Sequence, residues 1–208
     1  MYATDQKEIA AWVAEKPHKR FELAVRMASL SIQQPWESVG RQLADVADQQ
    51  GESRYLWGMK GMTWEYFRQR YDQGERLYRA IGRAVAAGRV DRAHLLLLGV
   101  PGINIAKGGF ILQLCWGVSG CMDSVNCKRL GIDQRKLRIP KTLTGRTKTR
   151  KIREYLALIE ECGGTATLWD QWCHWLADRD ATFIDAREVS RRHVEYVQGI
   201  WQDEELPV

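Results

Sequence analysis

Apolar residues recur with a helical period along almost the whole chain, and almost nothing alternates with period two over the length of a strand. Ile9, Trp12 and Val13 share a helical face, as do Phe21, Val25 and Ala28, then Val39, Leu43 and Val46, and later Ile152, Tyr155, Leu156 and Ile159. This pattern dictates an all-α fold. With 208 residues, 45% of them hydrophobic, the chain has enough apolar surface for a real core.

Start and stop signals divide the pattern. Asp5 is the N-cap expected for a first helix, and a second from about residue 18 must end near Gln34, because Pro35 disfavours helical backbone before it. A third helix runs over about 36–46. Gly51, Gly58 and Gly61 mark a loop. Thr63 is then read as the cap of one long helix carrying Trp64, Phe67, Tyr71, Leu77, Tyr78 and Ile81, interrupted or bent at Gly74 or Gly82. Shorter helices follow over 90–98, 105–116 and 124–130. A helix through Ile152 and Ile159 stops at Gly163 and Gly164. Two more carry Leu168, Trp169, Trp172 and Leu176, then Val189, Val194, Val197 and Trp201.

Charge is uneven. The net charge is +5, but residues 135–153 hold Arg135, Lys136, Arg138, Lys141, Arg146, Lys148, Arg150, Lys151 and Arg153 with no acid. The rest of the chain is therefore about −4, and such a concentration of cations is what a phosphate-facing surface carries. Five cysteines without any C-x-x-C pair fit reduced thiols better than a zinc or cluster site, so no metal and no cofactor is expected. The first residues lack a secretory pattern, and no apolar run approaches the roughly 18 residues of a membrane span. A cytoplasmic protein without membrane contact is the expectation. Nine Trp are many, and some should line a groove or interface.

The most informative segment is LLLLGVPGINIAKGGFILQLCWG, residues 95–117. An apolar helix ends at Gly99, a tight turn holds Pro101, Gly102 and Asn104, and a new helix begins at once. Glycine and asparagine tolerate left-handed backbone, so the turn can be sharp while Ile103 tucks into the core. Backbone N–H groups at the start of the new helix then face outward, where the helix dipole favours an anion such as phosphate. Gly108 and Gly109, unfavourable inside a helix, are expected where another backbone packs closely.

The segment VPGINIAKGG resembles the hairpin of the helix-hairpin-helix DNA glycosylases, the superfamily of endonuclease III and the adenine glycosylases. About twenty residues on, those enzymes carry an apolar residue and the catalytic Asp before a short helix with a Leu-Gly stop. Here stand Met122, Asp123 and, after SVNCKR, Leu130 and Gly131. Upstream, Leu30, Ser31, Ile32, Gln33 and Gln34 resemble the helix end with paired glutamines found in that family. The resemblance spans roughly residues 20–175. It implies a two-lobed helical unit over 1–208, with a hairpin lobe of about 36–131 and a second lobe formed by about 1–35 and 132–208.

What the resemblance implies for function is a monomer acting on double-stranded DNA in the nucleoid or on phage DNA, removing a modified or mismatched base. Asp123 would stabilise the sugar cation and orient water, although an Asp before a helix is also a good N-cap. Gly102, Asn104, Ala106 and Lys107 would hold phosphate, with Lys148 and Arg150 of the basic stretch beside them. Gln33 and Gln34 would fill the gap left by the extruded base, and Trp57, Trp64 or Trp116 would stack on it. The sequence departs from the family in three places. Asn104 replaces the second hairpin glycine. The position of the lyase lysine is Ala106, with Lys107 one step on and, at about 100° per residue, pointing elsewhere. Ser29 stands where adenine-removing members carry Glu. Monofunctional base removal is therefore the expectation, with Lys107 as a Schiff-base nucleophile a lesser one. Two alternatives remain open: transfer of a group to a modified thymine, as in phage DNA hypermodification, and DNA binding without chemistry.

Overall fold

Two helices of this chain are buried on nearly every side, and the others are arranged around them. The computed structural model describes residues 6–32, 34, 38–49, 53–70, 72–140 and 142–177. Among these the regular structure is entirely helical: α1 (Gln6–Glu15), α2 (Pro17–Leu30), α3 (Val39–Asp48), α4 (Met59–Arg68), α5 (Gln73–Ala86), α6 (Val90–Leu98), α7 (Ile105–Trp116), α8 (Ser124–Arg129), α9 (Gly145–Glu161) and α10 (Gly164–Ala177). A short 3-10 turn over Gln134–Leu137 lies between α8 and α9. No described helix is long and apolar enough to cross a membrane.

The first central helix is α2, buried continuously from Phe21 and flanked by α1, α3, α4, α5 and α7. A helix buried all round must satisfy its polar side chains internally. Glu22 pairs with Arg26 one turn on, and the Arg26 guanidinium lies 4.1 Å over the Trp64 ring of α4. Ser29 donates to the Thr63 hydroxyl at 3.2 Å, a second polar tie between α2 and α4.

The second central helix is α7, where every residue from Ile105 to Cys115 is buried except Lys107. Asn104 caps its start, Oδ1 accepting from the Lys107 N–H at 2.9 Å, and Gly117 ends it with a left-handed φ of +64°. Gly109 is needed for packing: a Cβ there would lie 2.0 Å from the Gly120 carbonyl oxygen. Gly108 meets side chains instead, with His94 Nδ1 3.4 Å from a built Cβ.

Burial defines two cores. The larger runs from Ile9 to Cys121 and unites α1 and α2 with α3–α7, while the smaller joins Ile105, Met122 and Cys127 to Ile152, Tyr155, Ile159 and Leu168. α1 packs on α7 and α2.

The long helix expected after Thr63 is two helices broken between Arg68 and Gln73. Thr63 lies inside α4 rather than at its cap. Its hydroxyl is used by Met59 O of the preceding turn at 3.0 Å and by Pro101 O at 2.6 Å, and the N-cap is Gly58. The boundaries of α6 and α7 agree with the sequence pattern. Asp5, Trp36 and the helix expected over about 189–201 lie outside the described residues.

His94 of α6 is fully buried, its Nε2 2.7 Å from the hydroxyl of Ser119, a non-glycine residue at φ 67°. Burial holds the imidazole neutral, pushing its pKa from 6.5 down to about 3. The unfolded chain therefore binds a proton between those values that the folded chain refuses. The His94 contribution is complete above pH 6.5 and is lost as pH falls toward 3. Relative to His94→Gln, wild type should lose about 1.4 kcal/mol per pH unit between roughly pH 6 and 4. Urea unfolding at several pH values reads this, and a pH-independent difference between the two proteins would contradict a buried neutral imidazole.

Candidate functional site

The turn between α6 and α7 is built against α4. Gly102 has φ +87°, and a Cβ there would sit 2.3 Å from Thr63 Oγ1 and 2.6 Å from Met59 O. Both backbone and space demand glycine. Ile103 is buried, its N–H donating to Val100 O at 3.2 Å. Asn104 does not stand in for a second left-handed glycine, because its φ is −96° and its ψ 178°. It is an extended N-cap residue, exposed, and its side chain serves the Lys107 N–H. The N–H groups of Ile105 and Ala106, in the first turn of α7, have no partner within the helix. The Ala106 side chain is buried, so only its backbone can meet a ligand.

Lys107 points where its register alone would not send it. Half-buried, it donates from Nζ to Ser31 Oγ at 2.8 Å, at the C-terminal end of α2. Lys60 of α4 comes to the same helix end, fully buried, with Nζ donating to Leu30 O at 2.9 Å. Burial, and then the charge of Lys107, hold the Lys60 pKa below its ordinary value. Two ammonium groups thus meet the carbonyl end of α2, where the helix dipole favours cations. No sequence signal singled out Lys60, which sits in an otherwise apolar stretch of small and large residues.

Asp123 is the N-cap of α8. Its Oδ1 accepts from Val125 N–H at 3.1 Å and Asn126 N–H at 3.0 Å, while Oδ2 takes neither, and the residue is half-buried. The strand of chain before it is held by Tyr155 of α9, whose hydroxyl donates to Gly120 O at 2.6 Å and accepts from Met122 N–H at 3.0 Å. Asn126 Nδ2 donates to Cys121 O at 2.6 Å. Burial, and then the charge of Asp123, hold the Cys121 thiol up at about 12, with Lys107 opposing them.

Of the basic stretch, Arg135, Lys136, Arg138, Arg146, Arg150 and Arg153 are exposed and Lys148 and Lys151 half-buried, while Lys141 lies outside the described residues. α9 runs antiparallel to α6. Arg153 bonds Asp91 near the start of α6 at 2.8 Å, and Leu156, Ala157 and Glu160 line a groove with Val90 and Asp91. Ile152 shares the smaller core with Ile105, against which Leu98 packs. Arg150 is 3.9 Å from Glu154.

The remaining candidates divide. Gln34 is exposed and accepts from Gln42 Nε2 at 3.4 Å, near the helix end that holds Lys107, whereas Gln33 lies outside the described residues. Trp64 is buried against Arg26, and Trp116 is half-buried, stacking on Tyr78 at 4.9 Å and meeting Phe21 edge-on, so neither indole is open to a base. Trp57 is 52% exposed. Ser29 is fully buried on Thr63. No protein-family model matches the chain, and no curated protein or solved structure matches it either.

Tyr155→Phe removes both hydrogen bonds that hold residues 120–122 and leaves a buried carbonyl and amide without that partner. It should lower stability by about 2 kcal/mol, measured by urea unfolding. An unchanged midpoint and slope would mean that the hydroxyl does not hold this segment.

Proposed function

We propose that this protein is a DNA-acting enzyme that removes a modified or mismatched base by hydrolysing its N-glycosidic bond, on a two-lobed, glycosylase-like scaffold with α6, the turn and α7 as a helix-hairpin-helix. The observation that carries this reading is that Gly109 packs on the Gly120 carbonyl, which lays the segment leading to Asp123 on the helix that carries Lys107 and starts at the α6–α7 turn. A phosphate clamp and a carboxylate within reach of one nucleotide are what base removal requires.

In this mechanism the backbone amides around Gly102, Asn104 and Ala106, with Lys148 and Arg150, hold the phosphates of one strand without reading sequence. Lys107 balances the phosphate charge of the nucleotide turned into the cleft, and Gln33 and Gln34 fill the space it leaves. The bond between C1′ and the base nitrogen breaks, its electron pair leaving with the base. Asp123 faces the resulting sugar cation and accepts a proton from the water that adds to C1′. Asp123 returns that proton through solvent to the nitrogen of the departing base, so the products are the C1′ hydroxyl of the abasic sugar and the neutral base, with the carboxylate restored. Oδ2, free of the helix cap, is the oxygen suited to this work.

Duplexes containing uracil, hydroxymethyluracil, oxidised guanine or alkylated adenine, heated in alkali after incubation, should break at one of these bases. Asp123→Asn preserves an N-cap residue, so it should keep DNA affinity while slowing base loss by about 10²–10⁴-fold. Nucleosides of increased mass without abasic sites would replace hydrolysis with group transfer, and binding without either product would leave a DNA-binding module. Trapping of the chain on DNA by borohydride would move Lys107 from phosphate contact to nucleophile.

A further inference from the structure

Among the described residues, Trp57 is the aromatic side chain that the fold leaves exposed. It precedes the N-cap of α4, its carbonyl accepts from the Lys60 N–H at 3.1 Å, and the Lys60 ammonium lies 5.3 Å from the centre of its ring. Even so, 52% of the residue is exposed, and the first turn of α4 adds Met59 and Met62, 37% and 50% exposed. This apolar spot adjoins the turn between α6 and α7, because Met59 O and Thr63 Oγ1 are the atoms against which Gly102 packs. Beneath it, Lys60 reaches Leu30 O, one residue from the Ser31 hydroxyl that holds Lys107.

We propose that the Trp57 indole is a platform on which a nucleobase unstacked from duplex DNA lies, with Met59 and Met62 against its edge. This rests on the DNA-binding part of the function proposed above. The chemistry favours a base over an apolar protein partner. A flat indole fixed at a helix start, flanked by thioethers, offers one ring-sized surface, far short of the roughly 800 Å² each side of a stable protein interface buries. The Lys60 ammonium lies by its ring and Lys107 reaches the same end of α2, a positive neighbourhood suited to a nucleotide, which brings a phosphate together with its ring. Stacking on an indole is tolerant of base identity, so the platform would sense that a base is out of the helix rather than which base it is.

Binding of the full chain to two labelled duplexes, one fully paired and one with a single unpaired nucleotide, tests this by fluorescence anisotropy. Wild type should prefer the unpaired site by about tenfold. Trp57→Ala should bring that ratio close to one, and Trp57→Phe should keep most of it. With 2-aminopurine as the unpaired base, wild type should quench its emission and Trp57→Ala should not. Melting curves check that both variants remain folded. Wild type that binds paired duplex without preference, or a preference that survives Trp57→Ala, overturns the platform while leaving DNA binding intact. Wild type that binds neither duplex overturns both. A preference dependent on Trp57 in a protein that removes no base keeps the platform and removes the glycosidic chemistry.

Discussion

The contact on which the rest of this structure turns is backbone against backbone, where Gly109 of α7 meets the Gly120 carbonyl with no room for a Cβ. That approach lets the returning chain lie directly on α7, within reach of the Tyr155 hydroxyl that bonds both Gly120 and Met122. Lys107 stands two residues before Gly109, and Asp123 three residues after Gly120. Their mutual position is thus set by less than one helical turn and one short pinned segment, which is a rigid way to hold two opposite charges. A methyl at position 109 would push the segment off the helix and carry Asp123 with it.

A second constraint comes from α2. Because the helix is enclosed, its carbonyl end cannot be left to water, and two lysines from different elements supply the donors: Lys60 to Leu30 O and Lys107 to Ser31 Oγ. Burying an ammonium without a partner is strongly unfavourable, so Lys60 is anchored by that carbonyl. Its charge in turn keeps the neighbourhood positive beside Lys107. The arrangement ties α2, α4 and α7 together at the end of the molecule where the α6–α7 turn sits.

Much of this was legible in the residues. Gly99 marked the end of α6, Asp123 stood at a helix start with the side chain that caps it, and Gly109 announced a close approach, whereas Asn104, read as tolerant of a left-handed turn, is the extended N-cap of α7. What was not legible depended on side chains meeting across the fold. Thr63 carries the chemistry of a helix cap, but tertiary bonding to Pro101 O put it mid-helix. Trp64 and Trp116 had the same composition signal as Trp57, and only packing separated two core indoles from an exposed one. Lys60 gave no signal, since a buried lysine is recognised by the carbonyl it finds and not by its neighbours in sequence.

Lys107 shows how a register argument can be correct and still incomplete. One residue advances a helix by about 100°, so its Cα does face away from the position that Ala106 occupies. A lysine, however, carries four methylenes before its charge, and side chains near a helix start lean back toward the N-terminus. With Asn104 fixing where α7 begins, that reach carries the amine over the first turn to Ser31, at the end of α2. The 3.6-residue period decides where a side chain leaves the helix. For a long side chain, the polar partner it finds decides where the charge ends.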